Sequence, residues 1–455
     1  MISSPPKKWR VGLLSLGCPK TLVDSELILG KLDPQKYDVA PTVGDCDIAL
    51  LNTCAFIQDA QQESIDQILE LIELKKQGDI QKLIVMGCLT QRFSPELEKE
   101  FKEVDAFVGS GEYAKIPEIV ERVAGGVEVS EIGVPGYLYT SSERRVALTP
   151  VYSRYLKISE GCDHTCSFCV IPSFRGKHRS RELEDVVREA ENLVREGARE
   201  LVLTGQDTTY FGYDLKGRFL LAELLTRLNQ IPGLRWIRIL YAYPSLVNPE
   251  LIEALATLDK VCHYLDMPLQ HINDRILKSM RRGTTTQVTR RLLARLRERI
   301  PDLAIRTTFI VGYPGETEKE FGELLEFMEW ARFERLGIFT YSPEVGSPAA
   351  VLSEPLSEKI KQKRLEAAMI LQQRISEENN QRLRGKTLEV LAEAKDENPG
   401  WFVGRTYMDA PEVDGTVYFK VPPRRPVRPG EFVPVRIQET REYDLVGEWA
   451  EVPPA

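Results

Sequence analysis

From residue 9 to about 125 the chain alternates apolar runs with helical patterns: WRVGLLSLG then SELILGKL, CDIALLNT then ESIDQILELIELKK, KLIVMG then SPELEKEF, VDAFVG then IPEIVERV. Strands separated by helices pair in parallel through right-handed crossovers, so this stretch is expected to form an open α/β domain. Ligands in such sheets gather beyond the carboxyl ends of the strands. Three of those ends carry cysteines: Cys18 after LLSLG, Cys54 after ALLNT and Cys88 after LIVMG.

The alternation starts again at about residue 151. Six strand candidates, YLKISE, ELVLTG, WIRILYA, HYLDMPLQ, AIRTTFIVG and GIFTYS, have helical patterns such as LEDVVREAENLVREGA between them. Six such units predict a partial barrel, whose chemistry belongs on the loops after the strands. Residues 126–150 have no sustained periodicity and suit a linker. From about 354 to 383 a long polar helix is expected to walk away from the barrel. TLEVLAEA, WFVGRTYMDAP, TVYFKV and FVPVRIQETREYDLVGEWA then predict a small antiparallel β-barrel. The expected division is therefore 9–125, a linker at 126–150, 151–383 and 384–455.

The first loop of the second region carries Cys162, Cys166 and Cys169 in EGCDHTCSFCVIPSFRGKHRSR. Three thiolates at this CxxxCxxC spacing suit a 4Fe-4S cluster that keeps one iron open for a reactant. A structural zinc site prefers four ligands, so a zinc knuckle would need His164 or His178 as the fourth. Cys18, Cys54 and Cys88, at equivalent strand ends, read as ligands of a second three-thiolate cluster. The alternative for them is burial as ordinary core cysteines. Cys46 and Cys262 lie outside both trios and are expected to be structural.

With Phe168 just before its last cysteine, the motif resembles that of the radical S-adenosylmethionine enzymes. That resemblance implies chelation of S-adenosylmethionine by the open iron and its reductive cleavage to a hydrogen-abstracting deoxyadenosyl radical. Both trios and the terminal β-barrel together resemble the methylthiotransferase family over nearly the whole chain. The resemblance implies two 4Fe-4S clusters, S-adenosylmethionine as radical source and methyl donor, an external electron donor, and a terminal module of the TRAM type.

Within the family, GCDHTCSFCVIPSFRGKHRSR and GRTYMDAPEVDGTVYF resemble the branch that modifies an aspartate β-carbon of small-ribosomal-subunit protein S-twelve. The implied division of labour gives radical generation to Cys162, Cys166 and Cys169, and sulfur transfer to Cys18, Cys54 and Cys88. Phe168, and Gly205, Gln206 and Gly312 after barrel strands, are the further expected cofactor contacts. Two alternatives stay open. One is a transfer RNA adenosine methylthiotransferase, and the other is a non-catalytic iron-sulfur protein that senses redox state or binds ribosomes.

Charge bears on the choice of substrate. From Leu383 to the end there are 10 Lys and Arg against 13 Asp and Glu, a poor phosphate-binding surface that better matches a basic protein partner. Arg424, Arg425 and Arg428 could still touch RNA locally, although solvated loop arginines are the simpler expectation. Arg175, Lys177, Arg179 and Arg181 suggest either a site for an acidic group or a solvated helix start. The arginines from Arg281 to Arg299 are expected on a solvated helix face.

The net charge of −8 gives no general attraction to phosphates. Eight cysteines among 455 residues is not a disulfide scaffold, and VGLLSLGC makes a poor signal peptide, so a cytoplasmic protein is expected. No run approaches the length that crosses a bilayer. GSGEYA, with Gly109 and Gly111, imitates a dinucleotide fingerprint but reads as a tight turn. No heptad seam is present, which favours a monomer.

Overall fold

The computed structural model describes residues 8–353 and 355–451. Two ends of the expected segments, Glu354 and residues 452–455, lie outside them. Among the described residues no helix is long and apolar enough to cross a membrane.

The first sheet contains β1 (Trp9–Ser15), β2 (Tyr37–Val39), β3 (Ile48–Thr53), β4 (Lys82–Gly87), β5 (Ala106–Gly109) and β6 (Val129–Glu131), in the order β2-β1-β3-β4-β5-β6. Every ladder is parallel. The sequence pattern predicts β1, β3, β4 and β5. The edge strands β2 and β6 have three residues each, too few to show a period. Apolar clusters cover both faces of the sheet, as parallel strands require.

Four helices accompany this sheet: α1 (Pro19–Lys31), α2 (Gln58–Gln77), α3 (Cys88–Glu100) and α4 (Ile116–Ala124). Strand order reverses between β1 and β3, so the crevice at their carboxyl ends is a topological switch point. The segment 126–150, expected as a linker, contributes β6 and buries Tyr139, whose hydroxyl donates to the Lys157 carbonyl.

The second sheet comprises β7 (Ser153–Lys157), β10 (Glu200–Thr204), β11 (Trp236–Ile239), β12 (Val261–Asp266), β13 (Ala304–Val311) and β14 (Arg335–Thr340). The intervening β8 (Ser159–Glu160) and β9 (Arg179–Ser180) pair with each other, bracketing the cysteine loop and the short helix α5 (Ile171–Arg175). All six main strands are parallel in sequence order. β7 and β14 are not neighbours, so the barrel stays partial, as the six strand candidates predicted.

The polar segment near 354–383 departs from expectation. Its helix, Glu358–Gln381, does not walk away but packs along β14, with Ala368 and Ile375 in the barrel's apolar cluster. Its buried polar residues bond to the barrel: Lys361 donates to the Tyr341 carbonyl and Gln372 to the Phe333 carbonyl. Polar groups satisfied in this way hide the packed face from a periodicity argument.

The terminal strands are β15 (Thr387–Lys395), β16 (Trp401–Arg405), β17 (Val417–Lys420), β18 (Phe432–Thr440) and β19 (Leu445–Trp449), closed in the order β15-β16-β17-β19-β18. Four ladders are antiparallel as expected, and β17 pairs with β19 in parallel. An odd number of strands closed in a ring cannot alternate direction throughout, so one parallel ladder is unavoidable. The loop after β16 docks on the inner side of the partial barrel. There Glu200 holds both Arg238 (2.9 Å) and Arg405 (2.7 Å), and Tyr264 donates to Asp414. Met408 and Ala410 share an apolar cluster with Tyr155, Val202 and Trp236.

Candidate functional site: two thiol trios across one interface

The parallel register explains the first trio. Ser15 stands beside Asn52, and Thr53 beside Gly87, so the residues leaving β1, β3 and β4 emerge side by side. Cys18 caps α1, Cys54 follows β3, and Cys88 opens α3. Gly17 leaves no room for a side chain: a Cβ there would lie 2.9 Å from Cys54 Cβ and 3.0 Å from its Sγ, and its φ is +94°.

These thiols influence one another. Burial pushes Cys54 up to about 12, reinforced by Cys88 and Cys18 nearby. Burial raises Cys88 also, against the pull of the Arg175 guanidinium. At Cys18 burial acts upward, but the Lys20 ammonium, a Thr21 N–H and Arg175 outweigh it and leave the thiol lowered.

The second trio follows β7 and β8. Its loop is braced by backbone bonds from Cys162 N to Gly176 O (3.1 Å), Ser167 N to Met280 O (3.0 Å) and Cys169 N to Cys166 O (3.1 Å). Burial pushes Cys162 and Cys169 up to about 12. All eight cysteines are free. The two histidines weighed as zinc ligands are engaged elsewhere: His164 bonds Asp207 at 2.6 Å and stacks on Tyr243, while His178 bonds Ser180 at 3.0 Å.

Each side offers three free thiols, soft donors of the kind a 4Fe-4S cluster takes. Among the described residues no three His, Cys, Asp or Glu side chains close on a point as around a single metal. A cluster spreads its charge over several irons and accepts three spaced thiolates, releasing the protons that burial otherwise holds on the sulfurs. At the mouth of the partial barrel, the Oγ of Ser159 and the Oε1 of Gln206 are buried without a hydrogen-bond partner. Unpartnered polar atoms of this kind suit a polar ligand in the mouth.

The remaining expected contacts divide. Gly205 is in the mouth, where a Cβ would come within 2.6 Å of Ser159 Oγ. Gln206 donates to Glu160 at 2.6 Å. Phe168 packs against a separate small cluster with Met280 and Tyr313. Gly312, another expected contact, donates its N–H to Glu316 at 2.5 Å. Cys46 bonds the Val43 carbonyl and Cys262 is buried in the barrel, both apart from the trios.

Several basic residues that the sequence left open or placed on a solvated face are buried. Arg175 and Arg181 are not at a solvated helix start. Arg175 is 4% exposed, with Nε and Nη2 on Cys88 Sγ and Nη1 on Asp24 (2.9 Å) and Glu160 (3.4 Å), while Arg181 pairs with Asp185 and Glu189. Lys157 bonds the same Asp24 and Glu160. Arg282, expected on a solvated face, is buried and donates to Cys166 Sγ at 3.4 Å and to Pro268 O. Lys177, Arg424, Arg425 and Arg428 are exposed, as solvated residues would be.

Comparison with known proteins places this geometry. Residues 156–328 match the Radical SAM superfamily, residues 10–109 the Uncharacterized protein family UPF0004, and residues 385–450 the TRAM domain. Over 97% of its length the chain is 46% identical to "Ribosomal protein uS12 methylthiotransferase RimO" of Desulforamulus reducens, covering 99% of that protein. The chain belongs to the uS12 methylthiotransferase RimO family.

The RimO protein of Geobacter sulfurreducens is likewise 46% identical over 97% of the chain, covering 98% of that relative. Among solved structures, the radical S-adenosylmethionine methyltransferase TsrM of Kitasatospora setae superposes with a TM-score of 0.56. It is 16% identical, covering 76% of this chain and 74% of that one, which shows a shared fold. The matches at 10–109, 156–328 and 385–450 follow the order of the first sheet, the partial barrel and the terminal β-barrel.

Proposed function

We propose that this protein is a radical S-adenosylmethionine methylthiotransferase that adds a methylthio group to an aspartate β-carbon of ribosomal protein uS12. The observation that carries the reading is a pair of free-thiol trios, with Arg175, at the end of the helix that follows one, donating to Cys88 of the other, in a chain that matches a uS12 methylthiotransferase over 97% of its length. One trio would serve hydrogen abstraction alone. Methylthiolation also needs a sulfur source within reach of the same carbon.

Cys162, Cys166 and Cys169 are assigned to a 4Fe-4S cluster with an open iron, and Cys18, Cys54 and Cys88 to a second. When bound, these clusters with S-adenosylmethionine supply the radical hydrogen abstraction, the sulfur and the methyl group that an unactivated C–H bond requires. The chain's own residues hold and screen. Arg282 donates to Cys166 and Arg175 to Cys88, each placing a cation beside an anionic thiolate. Gln206, anchored on Glu160, has a buried Oε1 with no protein partner, an acceptor for a polar cofactor group. The apolar residues around α3 and α5, including Val170 and Phe174, exclude water between the trios.

The units 9–125, 151–383 and 384–455 are assigned to sulfur handling, radical generation and substrate docking. The protein is placed in the cytoplasm as a monomer served by an external electron donor. Anaerobic reconstitution with iron and sulfide, then incubation with S-adenosylmethionine, reductant and either uS12 or unmodified transfer RNA, tests the reading by mass spectrometry. A methylthio group on uS12 is expected. The same group on adenosine overturns the substrate assignment, and iron without turnover overturns the enzyme.

A further inference from the structure

Four cations at the junction between the first sheet and the partial barrel hold carboxylates. Lys157 and Arg175 hold Asp24 and Glu160, while Arg145 and Arg154 hold Glu26. Lys20 differs. Among the described residues its Nζ makes neither an ion pair nor a hydrogen bond, and its partner is the ring of Tyr241, 3.5 Å from the centroid. A ring face attracts an ammonium but does not neutralise it.

The position of this charge is informative. Lys20 is two residues beyond Cys18 in the first turn of α1, and it reaches across to Tyr241 just past the end of β11. Tyr241 is itself fixed. Its N–H donates to Asp266 (3.0 Å), its carbonyl accepts from Thr208 (3.1 Å), and its φ of +59° is a strained value for a side-chain-bearing residue. Cys18, Tyr241 and Glu160 attract the ammonium, while Arg175 repels it. Lys20 is half-buried, so an entering group can reach it. A held ammonium with no carboxylate in contact, between the two trios, can receive an anion supplied from outside.

We propose that Lys20 is a specificity-determining residue that receives the side-chain carboxylate of the substrate aspartate. The inference rests on the uS12 reading above. Two carboxylates would be present in the loaded site, that of the aspartate and that of S-adenosylmethionine. Placement favours the aspartate, because Lys20 is in α1, packed on the first sheet, and adjoins Cys18, whereas Cys162, Cys166 and Cys169 follow strands of the partial barrel. The aspartate β-carbon is bonded directly to the carboxylate carbon. Anchoring the carboxylate at Lys20 therefore holds the β-carbon against the Cys18 trio, where a C–S bond must form. An uncharged amide or a purine offers no anion for this lysine.

The test is calorimetric titration of the anaerobically reconstituted holoenzyme with purified uS12, and with uS12 carrying Asp→Asn at the modified position mapped by mass spectrometry. Lys20→Gln should weaken binding of uS12 by about ten- to a hundredfold, the factor for one lost charge-assisted hydrogen bond, and Lys20→Arg should recover part of it. S-adenosylmethionine affinity should move less than twofold. The Asn form of uS12 should bind wild type and Lys20→Gln equally, because the loss is counted once. Loss of S-adenosylmethionine affinity instead would reassign Lys20 to the cofactor carboxylate and overturn the proposal. So would additive losses from the Lys20 and Asp substitutions. Full uS12 affinity in Lys20→Gln, with wild type still modifying uS12, overturns the Lys20 role alone. A wild-type enzyme that neither binds nor modifies uS12 overturns the functional reading with it.

Discussion

The Arg175 guanidinium donates through both Nε and Nη2 to the Sγ of Cys88, at 3.2 and 3.0 Å. Arg175 ends α5, the helix that leaves the CxxxCxxC loop, while Cys88 opens α3 in the first sheet. The exit from one trio therefore supports the other. The same guanidinium also holds Asp24 and Glu160, so its loss leaves two buried carboxylates with Lys157 as their remaining cation.

Replacing Arg175 by Met should lower stability by about 3–5 kcal/mol, the range for removing one partner of a buried ion pair. Urea unfolding under anaerobic conditions measures it. A change below about 1 kcal/mol would show that the network relaxes without Arg175.

Separate single-cysteine variants should behave differently. Cys166→Ala is expected to abolish S-adenosylmethionine cleavage, whereas Cys54→Ala should retain cleavage and lose sulfur insertion. Each should retain about half of the wild-type iron, as two independent clusters imply. Equal cleavage by both variants and wild type would refute the division of labour.

Gly17→Ala probes the crowding at the switch point. The added Cβ meets Cys54 and must adopt a φ of +94°, a combination expected to cost about 1–3 kcal/mol. Thermal unfolding and the iron content of the first trio should both fall. Unchanged iron with wild-type stability would mean that the turn can shift without disturbing Cys54.

Glu200 makes docking of the terminal barrel sensitive to acid. It is fully buried, and although burial acts upward, Arg405 and Arg238 bring its carboxyl down to about 2 from an ordinary 4.5. A depressed carboxyl contributes stability above its unfolded value and loses it as pH falls through the folded one. About 3 kcal/mol should therefore disappear between roughly pH 4.5 and 2. Urea midpoints across that window should fall for wild type, and Glu200→Gln should remove this share of the slope. An identical slope in the variant would assign the acid sensitivity elsewhere.

Much of the architecture was legible because strand-helix alternation and apolar runs are local properties. The main strands of both parallel sheets, the terminal barrel and the two trios of cysteines all follow from it. The short edge strands β2 and β6 were not legible, since three residues hold no period. The helix Glu358–Gln381 misled because its packed face carries Lys361, Arg364 and Gln372, whose polar groups are satisfied by the barrel.

The sequence by itself determined where the two trios of cysteines stand, by placing them after successive strands and at CxxxCxxC spacing. Parallel pairing then leaves those strand ends few places to go. Only the tertiary structure decided what surrounds them. Arg175 and Arg282 resemble surface arginines in one dimension, and Lys20 is an unremarked residue after Cys18-Pro19. The difference lies in burial and in the presence or absence of a carboxylate across the interface. Those depend on contacts between residues more than 100 positions apart, such as Asp24 with Arg175. Side-chain charge is written in the sequence, whereas its compensation is a property of the fold.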